Sequence, residues 1–323
     1  MRFVWLSLVG AGLLVPIACG SDSATGGAAN TDAGFGGALL IDAGADAADA
    51  LSESGSSAND DPSAPKPPFD WVGVIGTGQS LSVGVTAGFI STSQPFHNLK
   101  LVDNGPNPKY PIAAGVGAPV WGTTPLTEPI RIPVPGSGAG YTDAQYPNDI
   151  LGETPHSGMA NTLSTIWSAR GGRGEYVTAH SVVGWSGHCL TDLNKAGGQR
   201  AYPASLNEAL VWTSLAANAH KSFGYGGIIL THGECDKANP QYGAGLYQLW
   251  QDYNDDLKAI TGQTRDIVLL VSQQSAETAG ATGSAVQVWR AGVAHPHEVI
   301  CTGPKYQYQY QGGLHLPASG YQR

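Results

Sequence analysis

Apolar and polar positions change their rhythm at about residue 69. Beyond that point short apolar runs alternate with longer stretches of helical periodicity. Trp71 to Ile75 is apolar almost throughout and ends in Gly76-Thr77-Gly78-Gln79-Ser80. Such a run predicts a strand covered on both faces, followed by a turn in which glycine lets the backbone bend sharply. Further strands are predicted at Asn98 to Val102, Tyr176 to Val183, Gly227 to Thr231, Asp266 to Ser272 and Glu298 to Cys301. Helical spacing covers Ser157 to Ala169, where Met159, Leu163, Ile166 and Trp167 supply the apolar side chains. It recurs at Ala204 to His220, at Gly245 to Ile260 and around 283–292. Residues 81–90 also open a helical pattern, which Gly84 and Gly88 weaken. Strands alternating with helices predict a parallel sheet with helices on both faces.

That arrangement gives the polar clusters a common place. Ser80, Gly187 and the His232-Gly233-Glu234-Cys235-Asp236 cluster each follow a predicted strand. In a parallel sheet those strand ends lie side by side and line one crevice. Between them, residues 103–153 hold nine prolines together with Tyr110, Trp121, Tyr141 and Tyr146. A loop that long is commonly either functional or a disordered insert. Its aromatics either form a platform for sugar rings or pack the loop onto the domain.

The front of the chain follows other rules. Arg2 precedes an apolar run, Val4 to Ile17, that is short for a membrane span and fits a signal-peptide core. The run ends at Ala18-Cys19-Gly20, which resembles a bacterial lipoprotein signal. Cleavage there leaves Cys19 as a lipid-bearing N-terminus; Pro16 departs from the usual pattern, and the alternative is a plain secretory signal. Residues 20–68 carry eight acidic residues against Lys66, so −7 of the chain's formal −9 falls there. Gly, Ala, Ser and Asp dominate, and such a segment buries too little apolar surface to offset its ordering entropy. A disordered acidic tether is expected, closing in a stiffer segment at Pro62, Pro65, Pro67 and Pro68.

Residues 69–323 then form one domain with a net charge near −3, enough chain for a substantial core. No basic patch suggests nucleic acid. No glycine loop ending in Lys-Ser or Lys-Thr suggests a nucleotide phosphate site. No cofactor is expected, and membrane contact is expected through the N-terminal lipid only.

The order of the blocks is similar to that of the SGNH (GDSL-like) hydrolase superfamily. The blocks are Gly78-Gln79-Ser80, the Gly187 loop, His232-Gly233-Glu234, and Leu314-His315-Leu316 before Gly320-Tyr321. The Gly-Gln-Ser and Gly-Glu-x-Asp elements resemble its carbohydrate and sialate O-acetylesterase branch. The resemblance implies a three-layer α/β/α, flavodoxin-like fold with a mostly parallel five-stranded sheet. It also implies a secreted serine esterase acting on an acylated carbohydrate or small ester. Ser80 is the expected nucleophile and His315 the base that takes its proton. The expected oxyanion donors are the backbone N–H of Ser80, the backbone N–H of Gly187 and a side chain from the third block, for which His232 is the candidate. Glu234 is expected to brace its loop. The family's acid stands three residues before the catalytic histidine; here that position is Gly312. Either the chain works with Ser80 and His315 alone, or Glu234 or Asp236 orients His315, or activity is weak. The chain stops at Arg323, where the family usually runs a final helix, which is read as a possible truncation.

Rival readings stay open. Gly184-Trp185-Ser186-Gly187-His188 resembles a nucleophile elbow but has His188 where the second glycine belongs. His295-Pro296-His297 has no ligand cluster around it, and no metal site is expected. Cys189 and Cys235 lie beyond two strand ends that should be neighbours. Either they pair in an oxidising envelope, leaving Cys301 over, or all three are buried thiols. A non-catalytic glycan-binding surface lipoprotein and a general lipase or thioesterase are the alternative functions.

Overall fold

A computed structural model describes residues 61–85, 87–103, 121–130, 152–197, 201–274, 283–305, 307, 308, 310 and 315–322. The expected leader with Cys19, most of the expected acidic tether, the bulk of the proline-rich stretch and Gly312 lie outside the described residues.

Among the described residues seven strands form one sheet: β1 (Trp71–Gly78), β2 (Leu99–Asp103), β3 (Trp121–Pro125), β4 (Thr178–Val182), β5 (Phe223–Thr231), β6 (Val268–Gln273) and β7 (Val299–Pro304). Their order is β3-β2-β4-β1-β5-β6-β7. This corrects the expected five strands. All neighbouring pairs run parallel except β2 and β3. Strand β3 arises inside the proline-rich stretch, where Trp121-Gly122-Thr123-Thr124-Pro125 shows no alternation; it is an antiparallel edge strand, a place where proline is tolerated.

The helices are α1 (Pro155–Ala169), α2 (Leu190–Leu193), α3 (Ala201–Asn218), α4 (Tyr242–Thr261), α5 (Ser284–Ala294) and α6 (Ala318–Tyr321). Side chains alternate across a strand, and β1 shows where each layer lies. Ile75 enters the large core with Trp212 of α3 and with Leu246 and Leu249 of α4. Gly76, its neighbour, faces His156 of α1 on the opposite side. Helices α3, α4 and α5 therefore cover one face and α1 the other. Trp212 is fully buried and its Nε1–H donates to Ser181 Oγ at 3.0 Å. After β1 the expected helix shrinks to a single 3-10 turn, Ser80–Ser82, and Gly84 then takes φ +72°, a left-handed conformation.

Helix α1 buries a different face from the one its apolar spacing predicts. Its buried residues are His156, Ser157, Ala160 and Ser164, while Leu163 and Ile166 are 36% and 42% exposed. The reason is close approach: a Cβ on Gly76 would stand 2.0 Å from His156 Nε2. His156 Nδ1 meets His180 Nδ1 at 2.7 Å, and His180 Nε2 meets Thr178 Oγ1 at 2.7 Å. Thr178 Oγ1 in turn donates to Asn98 Oδ1 at 2.7 Å. These bonds fix the proton order. Thr178 gives its only proton to Asn98, so it accepts from His180 Nε2–H. His180 Nδ1 then accepts from His156 Nδ1–H.

The proline segment also joins the domain. Pro65 O accepts from Arg173 N at 2.8 Å, and Pro62 O accepts from Arg173 Nη1 at 3.4 Å. The contacts of the domain thus begin before residue 69.

The buried imidazoles set an acid limit on stability. Burial pushes His156 down to about 3 and His180 well below the ordinary 6.5. Both stay neutral in the fold but take protons in the unfolded chain below about 6.5, so their contribution is complete above that pH and is lost as pH falls toward 3. Glu128 acts the other way: burial raises it to about 7, and the fold gains from it as pH falls from 7 to its ordinary 4.5. Below 4.5 the gain from Glu128 is complete, and His156 and His180, joined by the buried His232, carry a loss whose slope approaches about 1.4 kcal/mol per pH unit for each ring that is charged only in the unfolded chain. Denaturant unfolding across this range is expected to show a shallow loss below pH 6.5 that steepens below 4.5. A curve flat to pH 4 would contradict the neutral pair.

Candidate active site

Three strand ends build the site. Gly78 closes β1 at φ +131°, and a Cβ there would stand 2.1 Å from Thr231 O, the last residue of β5. Gln79 N donates to the same carbonyl at 3.1 Å. Only glycine permits this approach, and it delivers Ser80 into the crevice between β4 and β5. Ser80 is 7% exposed. Its turn is held by Ser82 Oγ donating to Gln79 O at 2.7 Å and by Gln79 Nε2 donating to Glu234 Oε2 at 2.7 Å.

The β4 loop runs beside this turn. Val183 N donates to Gly76 O at 2.8 Å and Trp185 N to Gly78 O at 2.7 Å. Gly187 follows at φ +78°, with open space where a side chain would project. Among the described residues no group accepts from Ser80 N–H or Gly187 N–H. Trp185 stacks on His188 with ring centroids 3.4 Å apart, and Ser186 sits between these two.

Three ties join the β4 and β5 loops. Cys189 and Cys235 form a disulfide with Cα atoms 5.0 Å apart. Asp236 Oδ2 accepts from Leu190 N at 2.8 Å, at the start of α2, and Asp236 Oδ1 accepts from Asn239 Nδ2 at 2.7 Å. His232 Nε2 lies 3.0 Å from His188 O, a pure acceptor, so the ring donates there, and its Nδ1 accepts from Tyr242 OH at 3.0 Å. This corrects the expectation for His232. Its ring N–H is already bonded to a carbonyl and the side chain is fully buried, so it offers nothing to an oxyanion. Burial pushes it down to about 4, against the opposing pull of the His188 carbonyl and Asp236.

His315 arrives from the chain's far end. Leu316, next to it, shares one small apolar cluster with Leu81 and Ala87, beside Ser80. The segments carrying Ser80 and His315 therefore pack together. His315 Nε2 is buried with no hydrogen-bond partner among the described residues, and burial holds its pKa below 6.5. No described carboxylate bonds to His315: Glu234 holds Gln79 and Asp236 holds α2. Among the described residues no cluster of His, Cys, Asp or Glu suits a metal ion.

No family model matches the sequence, and no curated protein matches it. Solved structures similar in shape include three at low identity. One is a protein from Arabidopsis thaliana, at 12% identity and TM-score 0.47, covering 79% of this chain and 94% of the other. The second is NanS, at 10% and 0.44, covering 80% and 94%. The third is a carbohydrate acetylesterase from Xanthomonas citri, at 9% and 0.42, covering 77% and 52%.

Sequence reasoning passed over the roles of two members of this site. Gln79 enters only as part of the Gly78-Gln79-Ser80 block, and Tyr242 lies before the helix expected from Gly245. Their partners lie 155 residues away for Gln79 and 10 for Tyr242, and no local pattern announces either bond.

The disulfide closes a loop of 46 residues, which in a chain-entropy account stabilises the fold by about 4 kcal/mol. Thiol titration of the denatured protein is expected to gain two thiols on reduction, with Cys301 already reactive beforehand. Reactive Cys189 and Cys235 in unreduced protein would overturn the pairing.

Proposed function

We propose that this chain is a serine esterase that removes acyl groups, O-acetyl above all, from a carbohydrate. The observation that carries the reading is the placement of Ser80 at the exit of β1 with its own N–H and that of Gly187 unclaimed beside it. A nucleophile needs donors already aimed at the charge it creates, each worth roughly 3–4 kcal/mol of barrier. In this reading Ser80 Oγ attacks the ester carbonyl while His315 Nε2 takes its proton. The oxyanion is held by Ser80 N–H and Gly187 N–H, and His315 returns the proton to the leaving sugar hydroxyl. Water repeats the sequence on the acyl-enzyme and frees the acid. His315 suits the base because burial favours its neutral form at pH 7. Glu234 acts through Gln79 on the Ser80 turn, and His232 and Asp236 act on the β4 loop. Lipid on Cys19, with the acidic tether behind it, would hold such an enzyme at a bacterial envelope where acylated polymers are exposed.

The expected result is hydrolysis of 4-nitrophenyl acetate by the full chain. Ser80→Ala and His315→Ala should each lose at least about a thousandfold in kcat/KM, while Ser186→Ala retains activity. The acid limb of the pH profile should lie below 6.5, the ordinary histidine value. An inactive parent with intact fold would favour the glycan-binding reading, for which the absence of a described carboxylate on His315 speaks. Activity that survives Ser80→Ala would remove Ser80 as nucleophile.

A further inference from the structure

A second cavity opens behind the crevice. It has a volume of about 370 Å³ and lies between α1, the 316–322 segment and strands β5 to β7. Strand alternation explains its walls. Ile228, Leu230, Leu269 and Val271 point into the core under α3 to α5. Ile229 and Leu270 point the other way and line this cavity. Met159 and Leu163 of α1 face it too, which gives the misplaced apolar stripe of that helix a surface to cover.

Among the described residues one cation enters this apolar space. Lys305 lines the cavity, is only 8% exposed, and its Nζ has no hydrogen-bond partner among the described residues. Ser272 Oγ, in the same wall, is likewise buried without a described partner. A buried ammonium without hydrogen bonds is strongly disfavoured, and the Ser272 hydroxyl is a second unpartnered donor in the same wall. Burial pulls Lys305 down to about 8 while Glu234 pulls it back up, so the ammonium form persists at neutral pH.

The geometry points to a binding site for a monocarboxylate with an apolar body. Its carboxylate accepts from Lys305 Nζ and Ser272 Oγ, and its hydrocarbon part lies against Met159, Ile229 and Leu270. A dianion such as a phosphate ester fits less well, because one lysine faces it and Glu234 stands nearby. Cavities of this size and apolar character commonly take small organic ligands. The assignment does not rest on the esterase reading, since neither Ser80 nor His315 lines this wall.

Calorimetric titration of the full chain with octanoate and with octan-1-ol tests it. Octanoate is expected to bind at least about tenfold more tightly than the alcohol, the difference a charge-assisted hydrogen bond supplies. Lys305→Met should remove that preference and keep the alcohol's affinity. Thr302→Trp, at an exposed position on the cavity's edge, should weaken both ligands and keeps the test open if Lys305→Met does not fold. No octanoate binding to the parent, equal binding of acid and alcohol, or octanoate binding unchanged by either variant would overturn the site.

Discussion

The approach of β1 to β5 at their carboxyl ends is the constraint on which the site depends. Gly78 touches the Thr231 carbonyl so closely that no side chain fits between them. This contact sets the height at which Ser80 leaves the sheet. It also sets where His232 begins, one residue after Thr231. The two loops therefore start from a shared backbone contact rather than from independent turns. A glycine at this point costs backbone entropy in a strand, and close approach is the return that explains its presence.

The β5 loop is in turn tied to the β4 loop at three depths. His232 reaches the His188 carbonyl, Asp236 reaches Leu190 N, and Cys189 joins Cys235. The ties differ in chemistry but share one effect, which is to fix the backbone that carries Gly187. In the proposed reading Gly187 N–H is an oxyanion donor, and a donor on backbone has no rotamer to adjust, so its accuracy is that of its loop. Loops are the mobile part of a fold, and a donor here is useful only where the loop has been made part of the scaffold. The charged residues of the third block thus act on geometry: each carboxylate accepts hydrogen bonds from a neighbouring loop, and among the described residues none reaches His315.

Much of this was legible in the sequence because it is periodic. The core strands and the long helices α3 and α4 announce themselves by apolar runs and spacing, and parallel order follows from their alternation. The crevice follows from that order, which is why Ser80, Gly187 and the 232–236 cluster were placed at strand ends by reading alone. What was lost has a common physical cause. Strand β3 is defined by its pairing with β2, and no local pattern encodes a partner. The face that α1 buries is chosen by Gly76 and His180, which let polar and small residues sit inside while apolar ones face a cavity. The role of His232 turned on a carbonyl 44 residues upstream in sequence. Sequence gives a residue's repertoire; its neighbours decide which part of that repertoire is in use.

The histidines make the point most sharply, because one side chain serves three purposes in one domain. His156 and His180 are held neutral by burial and linked donor to acceptor, so they work as a polar spacer between a helix and a glycine strand. His232 is equally buried, and both of its ring nitrogens are occupied by fixed partners, so it works as a bracket between loops. His315 differs from all of them: its segment packs beside Ser80, its Nε2 has no described partner, and partial burial favours the neutral form. A base must have a nitrogen free to receive a proton, and a histidine whose two nitrogens are already engaged cannot supply one. In the proposed reading it is the packing of its segment beside Ser80, together with an Nε2 free of a described partner, that makes His315 the candidate base; His156 Nε2 also lacks a described partner, but it is enclosed against Gly76.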